Sequence, residues 1–154
     1  MGEIDRKQEI IRAAQEIISE KGLKGSTITE IAKHAGVADS IIYHYFKNKE
    51  DLLFCAVDDQ MKIAFEELMF QFNGIIGPVS KLGKMIWHHL YLNDFSTGEV
   101  LIRKNLLLEC RSNKNFYHHN SYNTLKKYTH IMLDILKTGV HERYFRDDLN
   151  LMVS

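Results

Sequence analysis

STITEIAKHAGVADSIIYHYFKNKEDLL, residues Ser26 to Leu53, sets small residues and a glycine between two short apolar patterns and follows them with a further helix start. Two short helices that cross steeply need little bulk at the crossing and a chain reversal between them. Ala32, Ala35 and Gly36 stand at those points. Thr27 caps the first helix through its hydroxyl, Glu30 three positions on completes a capping box, and Ile28 and Ile31 form the inward face. That helix runs to about His34, a left-handed Gly36 stops it, and Val37 packs behind the turn. Asp39 or Ala38 opens a second helix in which Ile42 and Tyr45, three apart, face the core. Ala38, Asp39, Ser40, Tyr43 and His44 stay outside. This is a helix-turn-helix pattern, and the outward residues are groove-facing positions of a recognition helix, which makes double-stranded DNA the leading partner.

The run YHYFKNKEDLL adds a more specific signal, two tyrosines and a histidine leading into a short basic turn and a new helix near Lys49. Over about residues 6 to 53 the chain resembles the TetR family of bacterial transcriptional regulators. A bare helix-turn-helix would be weak evidence. The preceding amphipathic helix, the Gly22 break, the Thr27 cap and the Tyr-His-Tyr-Phe-Lys-Asn-Lys run carry the resemblance. It implies that Thr27, Tyr43, His44 and Lys49 contact phosphates while Ala38, Asp39 and Ser40 approach base edges; phosphate contacts position a domain and base contacts specify. One departure is Asp39, which stands where many relatives carry Lys or Arg. Its carboxylate can accept from cytosine N4 but is repelled by phosphate. Capping the recognition helix is the preferred reading, because Asp is favoured at helix starts.

Charge does not advertise this role. The whole chain has formal net charge +0, and residues 1 to 53 carry eight Lys or Arg against nine Asp or Glu. Favourable electrostatics must be local, from Lys33, Lys47 and Lys49 and from His34 or His44 when protonated, with Glu9, Glu16 and Glu20 placed elsewhere. A single copy is therefore expected to bind weakly. Affinity then depends on a homodimer spanning a palindromic operator, its recognition helices roughly 34 Å apart.

At 154 residues and 45% hydrophobic content, the chain is long enough for a small head and one helical body, and it has no eighteen-residue apolar run. The N-terminus, MGEIDRKQEII, reads as neither a signal nor a transit peptide, so a cytoplasmic protein with no membrane partner is expected. Cys55 and Cys110 fall within helical apolar patterns, consistent with reduced thiols.

The expected fold is all-α: a three-helix head with a helix-turn-helix over residues 1–48, then an antiparallel helical bundle over 49–154. The first helix, about Glu3 to Lys21, carries Ile10, Ala13, Ala14, Ile17 and Ile18, with Leu23 folding back beyond Gly22. The fourth, about Lys49 to Asn73, closes the head with Leu52, Leu53, Ala56 and Val57. From Met61 on, Ile63, Ala64, Phe65, Leu68, Met69, Phe70 and Phe72 cover most of its circumference, which predicts burial on more than one side. After the NGIIGP loop come Val79, Leu82, Met85, Ile86, His89 and Leu90 at helical spacing. A helix from about Glu99 to Arg111 follows, then one from about Phe116 to Arg143 with Tyr122, Leu125, Tyr128, Met132, Ile135 and Leu136 inward. RDDLNLMVS reads as a further helix start, with Asp147 or Asp148 capping and Leu149 and Met152 on one face. The resemblance implies two more helices beyond it that build the dimer interface, so the chain is expected to lack most of that interface.

The resemblance also implies a small-molecule pocket in the body. Phe65, Met69, Trp87, Tyr91, Cys110 and Tyr122 are the candidate lining, set against the plainer reading that aromatic and Met residues at helical spacing are core. Their character favours an apolar or amphipathic effector. The segment LLLECRSNKNFYHHNSYNTLKKY resembles members that sense fatty acyl compounds. A metal site from His88 with His89 or His118 with His119, completed by Glu109, Cys110 or Asp94, is not expected. Neighbouring helical residues diverge by about 100°, and no two histidines stand three or four apart. No cofactor is expected. A ligand-responsive repressor is the first functional reading, and the second is a DNA-binding protein whose body recruits a partner protein. No Ser-His-Asp arrangement, glycine-rich phosphate loop or paired-carboxylate spacing supports an enzyme.

Overall fold

The computed structural model describes residues 3–91 and 98–149, with side chains over 6–90 and 104–149. Asp94, Met152 and the side chains of Tyr91, Val100 and Ile102 lie outside what the structure describes. Among the described residues, seven α-helices and one 3-10 turn make up the regular structure, and no strand occurs. They are α1 (Glu3–Gly25), α2 (Ile28–His34), α3 (Asp39–Tyr45), α4 (Lys49–Phe72), α5 (Pro78–Tyr91), α6 (Gly98–Arg111), the 3-10 turn Lys114–His118 and α7 (Ser121–His141).

The helix-turn-helix forms for the reasons its sequence gives. Thr27 Oγ1 accepts the Glu30 N–H at 3.1 Å, and Glu30 Oε2 accepts the Thr27 N–H at 3.0 Å, closing the capping box. At the other end of α2, Gly36 sits at φ 66°. Its N–H reaches Lys33 O at 3.2 Å and the Val37 N–H reaches Ala32 O at 2.9 Å, the paired bonds of a Schellman stop. Ile31, Ala32, Ile42 and Phe46 pack with Ile10, Ala13, Ala14 and Ile18 of α1 and with Leu52, Leu53, Ala56 and Val57 of α4. Gln15, buried in α1, donates to Ala56 O at 3.1 Å and to Asp59 Oδ2 at 2.9 Å, so the α1–α4 contact is polar-satisfied as well as apolar.

This core does not end at residue 48. Leu106 and Cys110 of α6 and Phe116 of the 3-10 turn are fully buried in the same cluster. Asn105 Nδ2 donates to Ser19 O at 2.9 Å, joining α6 to α1. A smaller second cluster, Leu68, Met85 and Ile135, holds α4, α5 and α7 together.

Several expectations about the body need correction. In the second half of α4, Met61, Ala64 and Leu68 are buried, but Ile63 and Met69 are exposed and Phe70 is 80% exposed. The helix is covered on one side there, because α5 and α7 both approach from the Leu68 side. The buried face of α5 is Met85 and His88, with Leu82 partly covered, whereas Val79, Ile86, Trp87 and Leu90 point outward. An apolar pattern that wraps a helix identifies no single face. The last long helix begins at Ser121 instead of Phe116, since Asn113 accepts the Asn115 N–H at 2.9 Å and starts a separate 3-10 turn. Asp147 and Asp148 cap no helix in the described residues. The chain turns back at Arg143, φ 62°, and the Tyr144 and Phe145 N–H groups both donate to Gly139 O.

Candidate nucleic-acid interface

The recognition helix α3 is seven residues long, so its aim depends on neighbours more than on its own hydrogen bonds. Ile42, fully buried, and Phe46, at its C-cap, anchor it from beneath. Ala38, Ser40, Tyr43 and His44 are exposed on the opposite side, as the spacing requires, and Tyr43 is 58% exposed. His44 meets Tyr45 edge to face at 5.1 Å. Tyr45, read from its spacing as core-facing, is half-buried against the core edge.

Asp39 does not cap α3. The N-cap is Ala38, which offers no side-chain bond, and Asp39 occupies the first helical position. Its Oδ2 accepts the hydroxyl of Thr29 at 2.6 Å, linking the first turn of α2 to the first turn of α3 on the exposed face. Thr29 was missed in the sequence, where nothing pairs residues ten apart on two helices until the crossing angle is known. The bond neutralises no charge, but it holds the carboxylate against α2 and leaves acceptor capacity on its other oxygen.

Two residues implied as phosphate contacts are already engaged within the head. The Thr27 hydroxyl donates to Glu30 Oε2 at 3.1 Å while it accepts the Glu30 N–H. Lys49 Nζ donates to Leu23 O at 2.5 Å and to Ser26 O at 2.8 Å, holding the start of α4 against the turn that precedes α2. One of its three ammonium donors remains. Lys47 is exposed, and its N–H donates to Asp51 Oδ2 at 2.8 Å. Asn48 caps α4 by accepting the Asp51 N–H at 2.8 Å.

The local charge pattern follows from these pairings. Lys21 pairs with Glu30 at 2.9 Å, His34 with Glu16 at 2.5 Å and Arg6 with Glu9 at 3.0 Å. The Lys21 ammonium and the Thr27 hydroxyl and N–H hold the Glu30 carboxyl below its ordinary value, and Glu30 raises Lys21 in return. Of the cations assigned to DNA, Lys33 and Lys47 keep exposed side chains flanking the recognition helix.

Residues 10–55 match the sequence model described as "Bacterial regulatory proteins, tetR family". The fatty acid metabolism regulator protein of Bacillus subtilis is 31% identical over 146 residues, 95% of this chain and 74% of its own length. The chain belongs to the TetR family. The repressor KstR2 of Mycobacterium tuberculosis is 25% identical over 150 residues, covering 95% of this chain and 72% of its own. Among solved structures, the Bacillus subtilis regulator FadR in complex with stearoyl-CoA superposes with a TM-score of 0.76 at 33% identity, over 94% of this chain and 76% of that one. As a TetR-family member the protein is a DNA-binding transcriptional regulator, not an enzyme.

Among the described residues the TetR-type body shows open grooves. One, of about 340 Å³, lies between α5 and α7 and is lined by Leu82, Met85, Ile86, Leu90, Tyr128 and Met132 among others. The second, of about 330 Å³, includes Met69, Phe72, Pro78, Ile131 and Ile135, with Lys81 and Asp134 at its edge. Of the five candidate ligand residues whose side chains are described, Met69 lines the second groove, and Phe65, Trp87, Cys110 and Tyr122 line neither. Cys110 is sealed in the core beneath α1, and burial, with Glu109 nearby, pushes its thiol up to about 12. Tyr122 packs edge-on against Phe116 at 5.8 Å and under Lys126. Trp87 is half exposed with Lys84 Nζ 4.2 Å from its ring centre, and Phe65 is half-buried on α4 away from both openings. The misplacements share one cause, since aromatic and sulfur side chains mark apolar surroundings without saying which apolar space is filled.

Proposed function

We propose that the protein is a repressor that binds a pseudo-palindromic operator as a homodimer in the cytoplasm. It is released by an apolar or amphipathic effector of the acyl class bound in the helical body. The observation that carries this reading is the apolar groove between α5 and α7, within the roughly 300–1,000 Å³ range of small-molecule sites and open in a body whose partner-binding alternative calls for a filled core. The 33% identical regulator solved with stearoyl-CoA supports an acyl thioester as the ligand class.

The route from ligand to DNA is α4. Its first residues are bonded to the head through Lys49, and near its other end Leu68 packs in one cluster with Met85 of α5 and Ile135 of α7, so one helix of roughly 36 Å joins the head to the two helices that form the effector groove. An effector that binds better to a conformer in which α4 is tilted lowers the population whose recognition helices match both half-sites. The exposed face of Ala38, Ser40 and Tyr43, braced by the Thr29–Asp39 bond, is the surface that reads the operator.

Fluorescence anisotropy on a duplex enriched by the protein, titrated with acyl-CoA thioesters of increasing length and with free CoA, tests the effector. Release by the long-chain thioesters and none by CoA alone is the expected result. Binding unchanged by every thioester contradicts the acyl reading.

A further inference from the structure

Where the head meets the body, three side chains from separate parts of the sequence converge. Asp51 and Cys55 lie four apart on the first turns of α4, a spacing that places both on one helix face. His119 arrives from the segment between the 3-10 turn and α7. One donor atom from each, a carboxylate oxygen, Sγ and a ring nitrogen, lies within 4.8 Å of the others. His119 Nε2 is already 3.0 Å from Asp51 Oδ1. We infer that Asp51, Cys55 and His119 form a binding site for a Zn²⁺-class ion at the seam between DNA-binding head and helical body.

The donor set suits that ion. Carboxylate, thiolate and imidazole are its ordinary ligands, and three protein ligands with a fourth position left to water is a familiar arrangement. Tetrahedral coordination needs ligand atoms roughly 3.3–3.6 Å apart, so side-chain rotations closing about 1 Å suffice without moving a helix. One carboxylate and one thiolate balance a divalent charge, leaving the half-buried seam neutral. A His–Asp pair alone would be an ordinary structural link. The thiol one helical turn from the carboxylate is what an ordinary link does not require.

The surroundings orient the ligands. His119 packs against the ring of Phe54 at 5.2 Å, which fixes its plane. Its Nδ1 lies 2.9 Å from Ser121 Oγ and 3.2 Å from the Ser121 nitrogen. Without metal, Nδ1 accepts the Ser121 N–H and Nε2–H donates to Asp51. With metal on Nε2, the ring proton moves to Nδ1 and donates to Ser121 Oγ, the outer-shell bond that metal-bound histidines ordinarily make. The thiol proton is released to solvent, so binding strengthens as pH rises. Burial, reinforced by the Asp51 and Asp58 charges, raises Cys55 when no cation is present. A shallow opening lined by Lys47, Asn48, Glu50, Asn115 and His118 gives an ion a path from solvent.

The site is hidden in the sequence because its histidine is 64 or more positions from its partners, and spacing along one helix reveals only ligands a turn apart. Its place has a consequence for DNA. Asp51 also accepts the Lys47 N–H in the loop that leaves the recognition helix, so an ion on Asp51 ties that loop to the start of α7.

The test is titration of the metal-free full chain with Co²⁺, read by absorption, with Zn²⁺ competition and proton release measured in parallel. The expected result is one equivalent bound, a thiolate-to-cobalt charge-transfer band that Zn²⁺ abolishes, and release of about one proton at neutral pH. Cys55→Ser should remove the band and weaken Zn²⁺ binding at least 10-fold, and His119→Gln should weaken it similarly, both with unchanged helical circular dichroism. Mg²⁺ should not compete, because it prefers all-oxygen octahedral sites. Absence of a charge-transfer band in the unmodified chain, or Zn²⁺ affinity indifferent to Cys55→Ser, overturns the inference. The band is read on the unmodified protein, so a variant that fails to fold does not decide the outcome.

Discussion

At the scale of single residues, the basic side chains near the DNA-facing surface divide into those that hold the head together and those that face outward. Lys49 belongs to the first kind, with its ammonium on two backbone carbonyls. Lys49→Met should lower unfolding stability by about 1–3 kcal/mol in urea denaturation, as expected for charged hydrogen bonds lost from a half-buried site. Lys47→Ala should leave stability unchanged and reduce the salt slope of DNA binding by about 0.9. An unchanged urea midpoint for Lys49→Met would instead assign that lysine chiefly to phosphate. Glu30 makes a prediction about pH. Its folded pKa is depressed, so its contribution to stability is complete above the ordinary value of 4.5 and is lost as pH falls through the folded value. Glu30→Gln should therefore flatten the acid limb of the stability profile below that pH, measured by thermal unfolding across buffers. A limb of equal steepness in both proteins would remove Glu30 as its source.

At the scale of elements, local chemistry determined the head more completely than the body. Thr27 and Glu30 cap α2, Gly36 and Val37 stop it, and Ile31 and Ile42 face inward, all through interactions within a few residues. Those are the interactions a sequence states directly. The body elements were legible in number but not in orientation. The α5 pattern offers both a Met85–His88 face and a Val79–Ile86–Leu90 face, and only the placement of α4 and α7 decides between them. The end of α7 shows a tertiary determinant that spacing does not reveal. The ring of Phe145 folds back onto Gly139 so closely that a Cβ there would lie 2.1 Å from it. Gly139→Ala should expel the ring and destabilise the protein by about 1–3 kcal/mol, read as a lower urea midpoint. A midpoint within error of the parent would mean that the Phe145 contact contributes nothing to holding the end of α7.

At the scale of the whole molecule, the division into a head ending at residue 48 and a separate body is blurred by one shared core. Leu106, Cys110 and Phe116 complete the head from the body side, and the Asn105–Ser19 bond spans the same seam. Both α6 and α4 therefore share a core with α1 and with Ile42 of the recognition helix. The sequence made the outward face of α3 legible because Ala38, Ser40, Tyr43 and His44 must be outward once Ile42 is inward. It did not reveal Thr29, whose partner depends on the helix crossing, nor the groove lining, which depends on how α4, α5 and α7 pack. The central claim, that the α3 face centred on Ser40 reads base sequence, is tested most directly by enriching duplexes from a random pool with the full chain and with Ser40→Ala. The expected result is a pseudo-palindrome with half-sites one helical turn apart and a changed preference at one symmetric pair of positions in the variant. No enrichment over random duplexes, or the same sequence selected with equal affinity by both proteins, would contradict it.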